Sequence, residues 1–355
     1  MKILVHVGHP AQVHFFKHFM WDMEKRGHEV SICASDKDIT LRLLDAYGFQ
    51  YEKVGHHQGN LLAKMATVLP TDWRVYKVAR RFAPDVILGF GSINASHAAA
   101  LSGKPCILFD DDEYSAWSTY FFARTVCTFH NFKKDLGRKQ VILNGFKELA
   151  YLHPSLFTPD PSVLNELGLK QSDKFVIMRF VGWQASHDVG QFGLDMMAKR
   201  ELIKEIEPFA RVLITSERPL PDGFKKYKIS IAPERIHDLL HYATMLIGDT
   251  QTMTTEAGLL GTPAIRCNSF VGPDDMGNFI ELENKYDLVY SFREPDKAIQ
   301  KAVELIQQPD LKKKWAIKRK RLLDDKIDVT QFIVDFIENY PESFIQYKRG
   351  NNNQK

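Results

Sequence analysis

Residues 244–266 read TMLIGDTQTMTTEAGLLGTPAIR. The apolar run 245–247 is too short for a helix and is closed by Gly248 and Asp249, which favour a turn. A strand therefore runs into a loop. The Ala/Leu-rich piece that follows reads as a helix, capped by Thr250 or Thr252 and stopped by Gly261 and Pro263, with a further strand over 264–267. A helix N-terminus presents unpaired N–H groups and the positive end of the macrodipole, so anions settle there. Hydroxyls of Thr252, Thr254 and Thr255 add donors, and Glu256, one turn in, is placed to accept from two sugar hydroxyls. Gly248, Asp249 and Thr250 complete the set. Ordinary helix capping calls for the same residue types, so the pattern leaves both readings open.

Working outward, strand-like and helical runs alternate from the start. Strands are expected at 3–7, 28–34, 49–54, 85–90, 105–109, 126–129 and 141–143. Between the first two, Val13, Phe16, Phe19, Met20 and Met23 recur at helical spacing. Residues 153–172 carry three prolines and run into a polar QSDK at 171–174, the composition of a linker. The alternation then restarts, with strands expected at 175–180, 211–215, 228–232, 245–247, 264–267 and 288–290. Repeated strand–helix units imply parallel sheets covered on both faces. The expectation is an α/β chain of two Rossmann-like domains facing across a cleft: 1–153, a linker over 154–173, 174–345, and a disordered tail over 346–355. The helical stretch 329–340 is a candidate to cross back onto the first half. In such sheets ligands sit at the carboxyl ends of the strands.

Composition narrows the partners. The 355 residues carry 47 Lys+Arg against 44 Asp+Glu, a net charge of +3, which gives no global attraction to nucleic acid. Cys33, Cys106, Cys127 and Cys267 lack CxxC spacing and read as buried hydrophobes in a reducing compartment. No run reaches membrane-spanning length, and no signal peptide precedes the strand at 3–7, so a cytoplasmic location is expected.

The two Rossmann-like halves, the block GDTQTMTTEAGLLGTPAI and the N-terminal GHPAQVHFF resemble the GT-B superfamily of nucleotide-sugar enzymes. Within it, the chain is similar to a family of archaeal and bacterial glycosyltransferases of uncharacterised function, related to UDP-N-acetylglucosamine 2-epimerases and the peptidoglycan N-acetylglucosaminyltransferase. The resemblance implies that the second domain holds the donor, that Glu256 binds ribose, and that no metal or cofactor acts besides the nucleotide sugar. The block departs from the glycine-rich form at Asp249, Thr250 and Gln251. The epimerases' catalytic aspartate turn is here Gly89-Phe90-Gly91-Ser92, and their His-Arg-Arg-Glu-Asn segment is Met178-Arg179-Phe180-Val181-Gly182. Both departures favour transfer of a sugar, of the hexosyltransferase and polysaccharide-biosynthesis kind, over epimerisation. A non-catalytic nucleotide-sugar-binding protein is the rival of another class.

Glycosyl transfer needs a base for the acceptor hydroxyl and donors for the leaving diphosphate. His9 and His14, after the first strand, are candidate bases, since imidazole titrates near neutrality; Glu113 is the third. Gly91, Ser92, Asn94 and Asp112 are candidates on the acceptor side. Arg179, His187 and Ser216 join the donor set. Capping, solvated strand ends and packing account equally for several of these. The basic amphipathic stretch 60–82 and the LKKKWAIKRKRLL run at 311–323 fit either ordinary sheet cover or peripheral contact with an anionic membrane, such as a lipid-linked glycan acceptor would require.

Overall fold

Strand–helix alternation builds two separate parallel sheets in the computed structural model, which describes residues 1–56, 61–181, 192–216 and 219–352. The chain divides into two units, 1–156 with 326–355, and 157–325.

In the first unit, β1 (Lys2–Val7), β2 (Glu29–Asp36), β3 (Glu52–His56), β4 (Val86–Phe90), β5 (Cys106–Asp110), β6 (Thr125–Phe129) and β7 (Gln140–Leu143) lie in the order β3-β2-β1-β4-β5-β6-β7. Helices α1 (Pro10–Lys25), α2 (Thr40–Ala46), α3 (Leu61–Phe82), α4 (Ile93–Ser102) and the short α5 (Leu149–Leu152) connect or cover them. All pairings are parallel, and the order reverses between β1 and β4. Helix α1 forms because Val13, Phe16, Phe19, Met20 and Met23 make one apolar stripe; all five are buried, with Phe15. Phe15 meets Phe90 edge-on at 4.8 Å. Each such side chain contributes about 1.5–3 kcal/mol by leaving water.

The chain end returns to this unit. Helix α13 (Val329–Glu338) buries Val329, Ile333, Val334, Phe336 and Ile337 and packs on α1 and α5. Glu338 takes hydrogen bonds from Arg26 (2.7 Å) and meets His28 (2.9 Å). The second unit thus ends at Asp325, not at 345. Nor is 346–355 a disordered tail throughout: α14 covers Glu342–Asn352, and its Tyr347 and Lys348 bond to the backbone of β7. An edge strand needs a cover, and the polar composition of 346–355 concealed one.

In the second unit, β8 (Phe175–Phe180), β9 (Arg211–Ser216), β10 (Met245–Gly248), β11 (Ala264–Cys267) and β12 (Val289–Phe292) lie in the order β12-β11-β10-β8-β9, again parallel. Its helices are α6 (Ser162–Glu166), α7 (Met196–Ile206), α8 (Ile236–Tyr242), α9 (Thr252–Leu259), α10 (Gly277–Asn284), α11 (Pro295–Ile306) and α12 (Leu311–Asp325). The strand expected at 228–232 is reduced to one bridge, Ile214 to Lys228. Pro233, which has no N–H to donate, opens a new turn directly after it.

Because Ile333 is fully buried, Ile333→Ala is expected to destabilise the first unit by about 2–5 kcal/mol. Calorimetry of the full chain is the check: the transition of the first unit should fall and that of the second should stay.

Candidate functional site

In the second unit the strand order reverses between β8 and β10, so the loops leaving these strands diverge and open a crevice. Gly248 lies opposite Arg179 there. A Cβ on Gly248 would stand 2.0 Å from the Arg179 carbonyl oxygen, so the pinch between the two strands admits glycine alone. Asp249 braces the next step. Its Oδ1 accepts from Val181 N at 2.8 Å, its carbonyl accepts from Asn268 at 3.2 Å, and it is fully buried. Asp249, expected among the donor-binding groups, is a frame element: its carboxylate ties the end of β10 to that of β8, and its carbonyl ties it to Asn268 after β11.

Helix α9 begins immediately afterwards. Its N-cap is Gln251, with no side-chain capping bond, rather than Thr250 or Thr252. The first-turn amides thereby lack a side-chain acceptor, the condition under which a helix tip takes an anion. Gln251 and Thr252 are partly exposed, whereas Thr250, Thr254 and Thr255 are buried. Thr254 donates back to the Thr250 carbonyl at 2.7 Å, so its hydroxyl serves the helix and not a ligand. The Thr255 hydroxyl is buried with no hydrogen-bond partner among the described residues.

Glu256 is 4% exposed, and its Oε1 lies 2.9 Å from Nε2 of His237 on α8. His237 was not singled out from the sequence, where it sits nineteen residues upstream in a helix without a motif. Arg179 donates to the Thr215 hydroxyl at 3.0 Å and is partly exposed, with Ser216 ending the neighbouring strand. Lys199 on α7, also unforeseen, lies over the Phe180 ring at 4.6 Å and 4.0 Å from Asp249. The structure therefore gathers Arg179, Ser216, Gly248 to Glu256 and Lys199 at one carboxyl edge. His187 lies outside the described residues.

The first unit's switch point, between β1 and β4, gathers a second group. Gly8 N donates to the Gln12 side chain at 2.6 Å, and Gln12 donates to the Phe90 carbonyl at 2.8 Å, tying the two loops together. His9 is the N-cap of α1, its Nδ1 accepting from Ala11 N at 3.2 Å. That bond puts the ring proton on Nε2, so His9 so placed donates a hydrogen bond and does not act as a base. His14 is no candidate base: it is buried, its Nδ1 is 3.2 Å from the Tyr47 hydroxyl, and its ring packs on Tyr151.

Two of the acceptor-side candidates also turn inward. Ser92 caps α4 and pairs with His6 at 2.8 Å. Asn94 donates to Asp72 at 2.7 Å, in a buried link between α4 and α3 that continues to His97. Gly91, at φ +51°, passes 3.3 Å from Asp110 as measured from the position its Cβ would take. Asp112 turns its Oδ1 back to Tyr114 N at 2.8 Å, and Glu113 accepts from Lys133 N at 3.2 Å; both stay partly exposed.

Of residues 110–113, DDDE, the sequence favours Asp112 and Glu113 for a cleft-edge role, yet the structure gives the buried position to Asp110. It is buried and accepts from the Tyr120 hydroxyl and from Asp112 N, each at 2.9 Å. Burial, with Asp111 and Asp112 adding to it against the Asp112 hydrogen bond, raises its pKa to about 7. Asp111 pairs with Lys147 at 2.7 Å. Burial works against the Lys147 charge, but Asp111 and Glu148 hold its ammonium above the ordinary range. Position as the last strand residue was the available signal: strand ends at a switch point carry the site.

These two carboxyl edges belong to a known architecture. The chain resembles S. aureus MnaA in complex with UDP (11% identity, 96% of this chain and 97% of that one, TM-score 0.71). It resembles UDP-GlcNAc 2-epimerase from Neisseria meningitidis bound to UDP-GlcNAc (16%, 95% and 99%, TM-score 0.62) and MurG of Acinetobacter baumannii (15%, 95% and 99%, TM-score 0.59). The fold is that of the GT-B glycosyltransferases and UDP-GlcNAc 2-epimerases. The chain belongs to the family described as "Protein of unknown function (DUF354)", matched over residues 1–342. A relative, "Uncharacterized protein MJ0665" of Methanocaldococcus jannaschii, is 21% identical over 280 residues, 75% of this chain and 82% of that protein.

Two predictions follow from the geometry. Gly248→Ala must push β10 from β8 and is expected to cost at least about 2 kcal/mol in urea unfolding of the second unit, while Gly272→Ala, with open space around its Cβ, is neutral. For Asp110, the raised folded pKa means that the folded chain holds a proton the unfolded chain releases. Its stabilisation is complete below about pH 4 and is lost as pH rises through about 7, on the order of 4 kcal/mol in all. Urea midpoints at pH 5 and pH 8 should show this slope in the wild type and a flatter one in Asp110→Asn.

Proposed function

We propose that this chain is a glycosyltransferase that takes a hexose from a UDP-type donor held at the α9 tip and passes it to a glycan or lipid-linked acceptor held at the carboxyl edge of the first unit. The observation that carries the reading is the uncapped N-terminus of α9 at a switch point, with Arg179 beside it and Glu256 in its first turns. The likeness to enzymes solved with UDP and UDP-GlcNAc supports it at the level of fold.

In this reaction the acceptor oxygen attacks the anomeric carbon. The bond to the diphosphate oxygen breaks, and UDP leaves with the electron pair. First-turn amides of α9, the Thr252 hydroxyl and the Arg179 guanidinium meet the growing phosphate charge, which is where fixed donors contribute most. Helix dipole and guanidinium together fill the part that a metal plays elsewhere, so the reading calls for no cofactor beyond the substrate. Glu256 accepts the ribose hydroxyls, sharing its carboxylate with His237. The acceptor proton passes to a carboxylate, Glu113 being the candidate, while His9 donates from Nε2 to orient the sugar.

A lipid-linked acceptor is favoured by the exposed apolar side chains of the first unit. Leu69, Trp73, Leu101, Trp117 and Phe121 are all more than half exposed on the first unit, with Lys77 over the Trp73 ring. Apolar side chains among cations suit the face of an anionic bilayer. Four buried free cysteines fit a reducing, cytoplasmic setting. Among the described residues, no helix is long and apolar enough to cross a membrane.

The test is incubation with a panel of UDP-sugars, with and without extracted lipid-linked glycans. UDP release that depends on acceptor is expected. A C2-inverted sugar would make the chain an epimerase, and binding with neither would make it a non-catalytic binder. Arg179→Ala and Glu256→Gln should each weaken UDP binding about tenfold or more, as lost charged hydrogen bonds do. Calorimetric affinities equal to wild type would remove these residues from the site.

A further inference from the structure

The opposite end of α9 carries a second feature that sugar transfer does not use. A cavity of about 500 Å³ lies between α12 and the ends of α8 and α9. That volume is in the range of small-molecule sites. Leu260, Ala316 and Leu323 give it apolar walls, and Gly261, at φ +75°, leaves room where any side chain would intrude against Arg319.

Its charged lining has one sign. Lys312, Lys313, Arg319 and Lys320 border the cavity, and no acidic residue does. Lys313 and Lys320 are exposed and pair outward with Asp310 (2.9 Å) and Asp324 (2.7 Å). Arg319 has no carboxylate partner; its Nε donates to the Leu259 carbonyl at 2.6 Å, and its two terminal nitrogens make no hydrogen bond among the described residues. Lys312 is fully committed, donating to the His241 and Ala243 carbonyls and to the Thr262 hydroxyl. An uncompensated guanidinium above apolar walls is half of a recognition site.

His241 completes the lining. Its Nδ1 is buried with no hydrogen-bond partner among the described residues. Burial first, then Lys312 and Arg319, lower its pKa to about 4, so the ring is neutral and adds no charge there. An under-used guanidinium in a cationic lining with apolar walls asks for a molecule with a negative charge and an apolar body.

We propose that this cavity is a second ligand site, built for a small organic anion with an apolar body: the anionic head on Arg319, Lys313 and Lys320, and the body on Leu260, Ala316 and Leu323. It lies at the carbonyl end of the helix whose amino end forms the candidate donor site. An eight-residue helix separates the two by about 12 Å. Occupancy at one end need not exclude occupancy at the other.

The probe is 8-anilinonaphthalene-1-sulfonate, which has a sulfonate, an apolar ring system and one N–H. On the full chain with saturating UDP, Lys313→Glu/Lys320→Glu should raise its dissociation constant about tenfold. Both positions are exposed, and such pairs contribute little to folding. Lys225→Glu/Lys226→Glu, equally exposed on the distant 222–227 turn, should leave it within about twofold. Equal constants for all three proteins would overturn the proposal. An independent arm needs no variant: the probe should slow acetylation of Lys313 and Lys320 by sulfosuccinimidyl acetate, read by mass spectrometry, and spare Lys225 and Lys226. Unprotected Lys313 and Lys320 would overturn it equally.

Discussion

The second unit is organised by the approach of two backbones at one point. Gly248 lies so close to the Arg179 carbonyl that only a hydrogen fits on its Cα. This contact closes the end of β10 on β8, and the Asp249 carboxylate then seals it by taking the Val181 amide. Everything that follows depends on that geometry. With the chain held there, α9 starts at a fixed place and with a fixed direction. A looser junction would leave the same side chains present and the donor array unformed, because anion binding by a helix tip requires several amides aimed at one point.

That junction explains which part of the site was legible from sequence. Strand, turn, helix and the Gly261 stop were readable from 244–266, because local propensity and tertiary fold agree there. The division of labour among the polar residues was not. Asp249, Thr254, Ser92 and Asn94 look like ligand-binding groups in one dimension. In three dimensions each meets a partner from within its own unit: Val181, Thr250, His6 and Asp72 respectively. A small polar side chain at a strand end serves frame and ligand with the same atoms, and sequence carries no sign of which it meets first. His237 and Lys199 were invisible for the converse reason, since each reaches the site from the body of a helix with no motif around it.

The basic run 311–323 makes the same point with charges. Lys312 caps the carbonyl end of α8, Arg319 that of α9, and Lys318 bonds the Asp287 carbonyl just past α10. These are cations placed at the negative ends of helix dipoles, where they satisfy carbonyls left without N–H partners. Trp315 is buried and donates to the Leu288 carbonyl, so the helix is anchored by its middle. The run thus has an internal assignment for three of its cations, which weakens the bilayer reading for this helix. On α3 the balance differs. Arg74 bonds the Val54 carbonyl and Arg81 pairs with Glu52, yet Leu69 and Trp73 remain exposed beside Lys77.

In the proposed function, the pairing of Glu256 with His237 sets the terms on which the second unit would take a nucleotide. A carboxylate has about four lone-pair directions, and the imidazole occupies one of them from a buried position. Two vicinal hydroxyls need two more. In the proposed complex the ribose hydroxyls share this carboxylate with His237. The arrangement also fixes the carboxylate rotamer before any ligand arrives, so the entropy of ordering that side chain is already accounted for in folding. A carboxylate only 4% exposed has already lost its water on folding, so the cost left in the proposed complex is the hydration of the ligand's own hydroxyls, and that favours a ligand whose phosphate end is seated on α9 as well. Tip and carboxylate lie on one helix, so a nucleotide held as proposed meets a single rigid element at both ends. A nucleoside without its diphosphate would lose its hydration for the carboxylate contact alone.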